Sequence, residues 1–363
     1  MNKYLKYTLL GLLWAAVFVY LLFAGGRVRR HRADQAVERI EVEVVDSTSQ
    51  KRLVSGATVK EWVARSGIKT IGEKIGKVDL GAIERLVSEN GFVSDAHASV
   101  SYSGTLDISV TQRTPLMRLL LDGYNSYVTE EGYVFAVPRN SAVYVPVVTG
   151  SYRPLFPPAY VGSAEAFTQE RIRQSQERIA ALEREKYPLY QREIQNDENT
   201  RAVRRMFIKK GWFESSEAFS KRVKELRRHK EQLRRKYRYE AQVIQTAIDK
   251  ITAKQETELA VQKKILKRHE DFLKLANFVK WIEEDDFWQS EIVQIIARTT
   301  DSGALEVDLI PRSGAYTIRF GRLDNMEQKF DKLLKFYRKG LSRFGWDRYK
   351  TIDVRFEGQV VCW

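Results

Sequence analysis

The sequence predicts an α+β chain: a single transmembrane helix, a small β-α-α-β-β domain, then a β-domain interrupted by a long helical, coiled-coil insertion. Three observations carry this. An uncharged run near the start is long enough to cross a membrane. Stretches of period-two alternation mark strands on both sides of the middle of the chain. Between them lies a highly charged tract with heptad-spaced apolar residues. The resulting segmentation is residues 1–26 for a short tail, which the resemblance given below places in the cytoplasm, and the transmembrane helix, and 27–37 for a linker. Residues 38–113 form the first domain, 114–163 with 277–363 the β-domain, and 164–276 the insertion.

The uncharged run spans residues 7–26, between Lys6 and Arg27. About 20 such residues cross the ~30 Å of hydrocarbon in a bilayer. Tyr4, Tyr7 and Tyr20 suit interfacial anchoring. The rival reading is a cleaved signal peptide, because Ala24-Gly25-Gly26 is a small-residue stretch; its apolar core would exceed the usual ~7–15 residues. Lys3 and Lys6 precede the span, whereas Arg27, Arg29, Arg30 and Arg32 follow it. Read alone, the positive-inside rule puts the bulk of the chain in the cytoplasm.

Residues 38–46 alternate Ile40, Val42 and Val44 with glutamates, the pattern of a half-buried strand. A helix is expected over 58–66, with Thr58 as N-cap, Glu61 completing a capping box and Gly67 as the stop. A second helix follows over 79–90, capped by Asp79 and stopped by Gly91. Strands are expected over 93–101 and 105–112, joined at Ser103-Gly104, and a hairpin over 127–137 turns at Glu131-Gly132. Residues 146–150 suggest a further strand.

From 164 to 270 the chain turns helix-favouring, with 27 Lys/Arg against 17 Asp/Glu. Most of the chain's net charge of +14 sits here. Ile172, Ile179, Leu182 and Leu189 are heptad-spaced. So are Val223, Leu226, Leu233, Tyr237, Ile244, Ala247, Ile251, Val261 and Ile265. Lys230 and Glu258 interrupt that seam. Pro188 is expected to kink or break the first arm, and residues 196–200 and the Gly211-Trp212 corner to turn the chain. The second arm would run from 215 to about 276, with a separate helix over 276–286. Strands then follow over 305–310 and 316–320 around Ser313-Gly314. An amphipathic helix over 326–344 uses Phe330, Leu333-Leu334, Tyr337 and Leu341. The closing strand pair is 351–362, where Ile352, Val354 and Phe356 face one way, into the core.

Residues 38–113 in this order resemble a POTRA domain, and the longer pattern resembles the FtsQ/DivIB family of bacterial cell-division proteins. The resemblance rests on Val93, Ala96, Gly104, Leu106, Ile108, Val110, Arg113 and Pro115, which match the family's passage out of its POTRA strands. His97-Ala98 departs from that pattern. Residues 127–135 resemble the family's "Y-V-D-x-x-G-x-x-F" segment, with Thr129 replacing the aspartate. The tail, "FWQSEIVQI", "LIPRSG", "GRLDNMEQKFDKLLKFY" and "GWDRYKTIDVRFEGQVVC", resembles the C-terminal β-domain of family members from Bacteroides-like bacteria. The likeness covers 1–160 and 275–363; the helical tract is foreign to it and looks inserted at a tolerant loop.

The resemblance implies a non-enzymatic divisome scaffold in the bacterial inner membrane, single-pass and mostly periplasmic, at the division septum. It implies FtsB/FtsL-like partners. An FtsB-like segment would add a strand at the open edge of the last sheet. The residues this assigns to partner binding are Ile352, Asp353, Val354, Arg355, Phe356, Gly358, Gln359, Val360 and Val361. The alternative function is a coiled-coil tethering or nucleic-acid-binding membrane protein with its bulk in the cytoplasm. Arg227, Arg228, Lys230, Arg234, Arg235 and Lys236 beside Tyr237 and Tyr239 would suit phosphates. Glutamates interleave with them, however, and the aromatics fit the seam. An exported domain would meet anionic cell-wall polymer or lipid headgroups, not nucleic acid.

No catalytic or cofactor constellation is expected. The four histidines lack metal-ligand spacing. The carboxylate run 283–286 lacks the alternation and glycine of a calcium loop. Cys362, the single cysteine, reads as a buried strand residue and excludes an intrachain disulfide.

Overall fold

A computed structural model of the chain describes residues 13–23, 35–45, 53–137, 143–346 and 348–363, with Phe344 by its backbone alone. Residues 13–23 are helical, and no described helix is long and apolar enough to cross a membrane. The remainder of the expected span lies outside the described residues.

The chain divides into two compact units, one of residues up to 164 together with 273–363, the other of residues 165–272. The first unit opens with a three-stranded sheet in the order β1-β3-β2. Its strands are β1 (Arg39–Val45), β2 (Val93–Val100) and β3 (Thr105–Gln112). β1 runs parallel to β3, and β2 antiparallel to it. Two helices, α1 (Gly56–Arg65) and α2 (Leu80–Ser88), lie between β1 and β2 in sequence and bury Val59, Val63, Ile83 and Val87 against the sheet.

The caps partly differ from expectation. Asp79 does cap α2, accepting the Ala82 N–H at 2.9 Å. The cap of α1 is Ser55, not Thr58: Ser55 is extended, and its Oγ accepts the Thr58 N–H. Gly91 is no left-handed stop either. Its place is steric, because a Cβ there would lie 2.9 Å from Phe135 Cβ.

The second sheet has ten strands, ordered β13-β12-β11-β10-β9-β7-β4-β5-β6-β8. The first half comes from β4 (Pro115–Leu121), β5 (Tyr124–Thr129), β6 (Tyr133–Ala136), β7 (Val147–Thr149) and β8 (Gly162–Ser163). The second half comes from β9 (Ile292–Thr299), β10 (Leu305–Pro311), β11 (Thr317–Gly321), β12 (Thr351–Asp353) and β13 (Val361–Cys362). β4 and β9 are strands that the alternation rule misses, because their apolar runs are nearly continuous. The halves meet where β7 pairs parallel with β4 on one side and β9 on the other. The apolar cluster of the first sheet extends into the second through Tyr127, Phe135, Val143 and Val145.

The second unit is an antiparallel helical hairpin formed from α3 (Ala164–Arg205) and α4 (Ser216–Glu284). Residues 273–284 of α4 belong to the first unit. Cross-arm partners run in opposite directions: Thr168 with His269, Ser175 and Arg178 with Glu258, Glu183 with Gln255, and Asn196 with the Tyr237 carbonyl. Three expectations are corrected here. Pro188 does not break the first arm, since α3 runs through it; a proline removes one backbone bond, and Glu183 and Asn196 on either side of it bond to the second arm. Residues 196–200 are helical rather than a turn, since Asn196 is buried against the other arm. The helix expected over 276–286 is not separate, because α4 continues through it. The turn is at 206–215, around Gly211.

In the C-terminal region, α5 (Asp286–Glu291) and α6 (Met326–Phe336) pack aromatic rings on β11. Phe330 is the centre, with Trp281, Trp288 and Phe320 rings within 5 Å of it. The expected helix over 326–344 passes through a π-helical turn at Tyr337–Leu341, which keeps Tyr337 and Leu341 buried.

The β7–β9 seam generates a test. Gly150 follows β7 at φ +105°, and a Cβ there would lie 2.4 Å from the Ala297 carbonyl oxygen. Gly150→Ala should lower stability by about 2–4 kcal/mol from backbone strain and overpacking, measured by denaturant unfolding of the purified chain.

Candidate partner-binding edge

A sheet offers backbone N–H and C=O groups only at its two edges. In the ten-stranded sheet these are β8 and β13. β8 is two residues long and runs directly into α3 at Ala164. β13 pairs with β12 on one side and, among the described residues, with no strand on the other.

β12 is not an edge. It pairs with β11 on one side and β13 on the other, with Ile352 opposite both Ile318 and Cys362. Ile352 and Asp353 are therefore interior to the sheet. Val354 is also buried, and its N–H donates to the Arg319 carbonyl at 3.1 Å. There the strand stops. Lys332 of α6 donates from Nζ to the Val354 carbonyl at 2.8 Å and also to that of Phe356, drawing the chain off the sheet. Burial is the first cause that pushes the Lys332 ammonium below the usual lysine range.

Phe356 does not join the core, as the alternation implied. It is 45% exposed, because the strand has ended and period two no longer applies. Gly358, in the left-handed region at φ +69°, and Gln359 form an exposed turn. Val360 and Val361 lead half-buried into β13.

Asp353 and Arg355 form the polar fixture of this region. Asp353 is fully buried. Arg355 holds both its oxygens, Nε to Oδ1 at 3.0 Å and Nη2 to Oδ2 at 2.6 Å, and the Arg355 N–H donates to Oδ1 as well. Burial alone would raise the Asp353 carboxyl; the Arg355 hydrogen bonds and the charges of Arg355 and Arg319 outweigh it and hold the group below the usual carboxylate range. The Arg355 stem crosses Gly321, where a Cβ would come within 2.7 Å of it. The Arg355 N–H is thus used inside the chain and is not an outward group.

The outward groups belong to Cys362. Thr351 and Trp363 exchange both backbone hydrogen bonds, at 3.1 and 3.2 Å, and Val361 is opposite Asp353. Alternation in an antiparallel ladder then turns the Cys362 N–H and C=O away from β12, to the open side. Its thiol is half-buried, and burial raises its pKa. Next to it the Trp363 ring is exposed and lies 5.3 Å from the Arg319 guanidinium. Sequence reasoning missed both residues. The chain-end pairing with Thr351 was the missing information, since alternation alone fixes faces and not which edge is covered.

Among the described residues no group of His, Cys, Asp and Glu is arranged to hold a metal ion.

Two family models match this chain. One, described as FtsQ/DivIB, C-terminal related, covers residues 249–363. The other, a POTRA-like domain, covers residues 35–111. No curated protein sequence matches the chain.

Arg355→Leu should cost about 1–3 kcal/mol by leaving a buried carboxylate poorly satisfied. The contribution of Asp353 is full above its unfolded pKa of about 3.9 and is lost as pH falls through its lower folded value. Denaturant melts of both proteins from neutral to acid pH should show the gap between them closing at the acid end.

Proposed function

Both matches support assignment of the chain to the FtsQ/DivIB family of cell-division proteins, and from that premise we propose that it is a non-enzymatic divisome scaffold that captures an FtsB-like partner by strand addition at β13. The two domains suggest a cell-division scaffold role. The finer reading adds a single-pass anchor at residues 7–26, a periplasmic bulk, recruitment to the septum, and the division of the chain into POTRA, β-domain and insertion.

The observation that carries the reading is the state of the last strand. β13 is an edge with the Cys362 N–H and C=O directed outward. Trp363, the next residue, is exposed. A partner strand laid there would gain main-chain hydrogen bonds from Cys362 and apolar contact from the Trp363 ring. Of the residues first assigned to binding, Gly358, Gln359, Val360 and Val361 border this edge. Ile352, Asp353, Val354 and Arg355 support it from within.

Cys362→Pro removes the outward N–H, and proline is tolerated at an edge that faces solvent. The variant should melt like wild type yet bind its FtsB-like partner about tenfold more weakly or worse in a pull-down titration. Unchanged affinity would refute strand addition at this edge. Topology has its own measurement. A phosphatase active only in the periplasm, fused after Trp363, should be active. Activity of a cytoplasmic reporter in its place would instead favour the tethering alternative.

A further inference from the structure

The helical hairpin ends in a loop whose composition is unlike the rest of it. Residues 201–238, the turn and the helix segments flanking it, hold 15 Lys/Arg and 4 Asp/Glu, a net +11. The remainder of the second unit, residues 165–200 and 239–272, holds 12 Lys/Arg and 14 Asp/Glu. All the excess positive charge of the unit is therefore at one end.

The same end exposes aromatic rings. Trp212 is 96% exposed, Phe213 fully exposed and Phe207 73% exposed. These rings are not left out by a loose loop, because the turn is tied down on every side. Lys230 Nζ donates to the Arg204 and Met206 carbonyls, closing the end of α3. Glu214 accepts the Gly211 N–H at 2.9 Å and the Arg222 guanidinium at 2.8 Å. Those bonds, the Gly211 N–H first, hold its carboxyl below the usual range. Ser215 caps α4 by accepting the Ala218 N–H. A folded loop that presents tryptophan and phenylalanine outward loses apolar burial unless something covers them.

We propose that the hairpin tip docks on the surface of an anionic lipid bilayer, with Phe207, Trp212 and Phe213 entering the headgroup–acyl boundary and the flanking Lys/Arg meeting the headgroups. The occupant follows from the two features together. Tryptophan and phenylalanine favour the interfacial zone. Clustered basic residues favour anionic headgroups, each by about 1 kcal/mol near the surface. Nucleic acid would use the same charge, but it is gripped in a groove where bases stack on rings held along a track. Here the three exposed rings belong to the turn itself, and of the two tyrosines in the basic stretch Tyr237 is half-buried while Tyr239 does not fit the seam and is exposed. This inference is independent of the family assignment and of the β13 edge.

The test places an environment-sensitive dye at the tip of the full-length chain. Cys362→Ser with Trp212→Cys, labelled with NBD, is mixed with vesicles of phosphatidylcholine alone or with added phosphatidylglycerol. An apolar segment at residues 7–26 would bind either vesicle, so the local dye and not bulk binding is the readout. A blue shift and quenching by lipid-phase nitroxides are expected in the anionic vesicles and not in the neutral ones. A dye at Tyr187→Cys, an exposed position on the shaft, should stay water-like. Replacing Arg227, Arg228, Arg234 and Arg235 with Gln, all exposed, should weaken docking by about a hundredfold or more while the circular dichroism of the helices is kept. A water-like dye at 212 in anionic vesicles overturns the proposal. So does a dye response to a single-stranded oligonucleotide that the anionic vesicles do not elicit, which would make the tip a nucleic-acid surface.

Discussion

Three residues hold the β-domain together. β7, Val147–Thr149, pairs parallel with β4 and with β9, and so joins strands separated by the whole helical hairpin. Around it the backbone is fitted closely. Thr149 Oγ1 accepts from Gln294 at 2.7 Å, the Tyr152 N–H donates to the Ala297 carbonyl, and the Arg153 N–H reaches Thr299. Parallel pairing at long sequence separation is entropically costly to nucleate. Its register must therefore be held by side-chain and loop contacts as well as by the ladder. Every strand from β9 to β13 inherits its place from this seam, including the edge on which the proposed partner would lie.

The other join is apolar rather than hydrogen-bonded. Tyr127 and Phe135 belong to the large sheet but are buried in the cluster of the small one. Phe135 packs edge-on to Phe92 and tilted to Tyr127, at 5.9 and 5.7 Å. The Tyr127 hydroxyl accepts the Val143 N–H, so the buried ring leaves no polar atom idle. Because Gly91 allows Phe135 to approach so closely, the end of α2 and the β5–β6 hairpin share one core. The two sheets are therefore mechanically coupled, although their strands never pair.

What the sequence disclosed depended on whether a local rule decided the outcome. Alternation located β1 and β3, since each turns its apolar residues to one face. It passed over β4 and β9, whose apolar runs fit helix or strand equally. Asp79 was legible as a cap because no competitor stood nearby. Ser55 was not, because Thr58 is also a capping residue and their hydroxyls meet at 2.8 Å; only backbone conformation decides between them. At the edge, the sequence indicated which residues form the closing strand pair. It did not indicate that β13 would cover β12, nor that Lys332 would end the strand before Phe356. Those outcomes depend on α6, a distant element whose packing no local pattern encodes.

The hairpin shows the same division. Heptad spacing located both arms, and the two residues that broke the seam were the informative ones. Glu258 accepts hydrogen bonds from Ser175 and Arg178, and Lys230 closes the end of the opposite helix. Ser175, Lys186, Asn196 and Gln255 are also buried polar residues in this interface. An apolar seam slides between registers at little cost, whereas a polar pair is satisfied in only one. These residues weaken the interface relative to leucine, yet they fix which residue of α3 meets which of α4. Fixing that register fixes where the chain must turn. The turn then falls at 206–215, so Phe207, Trp212 and Phe213 lie beyond the last paired residues instead of within the seam.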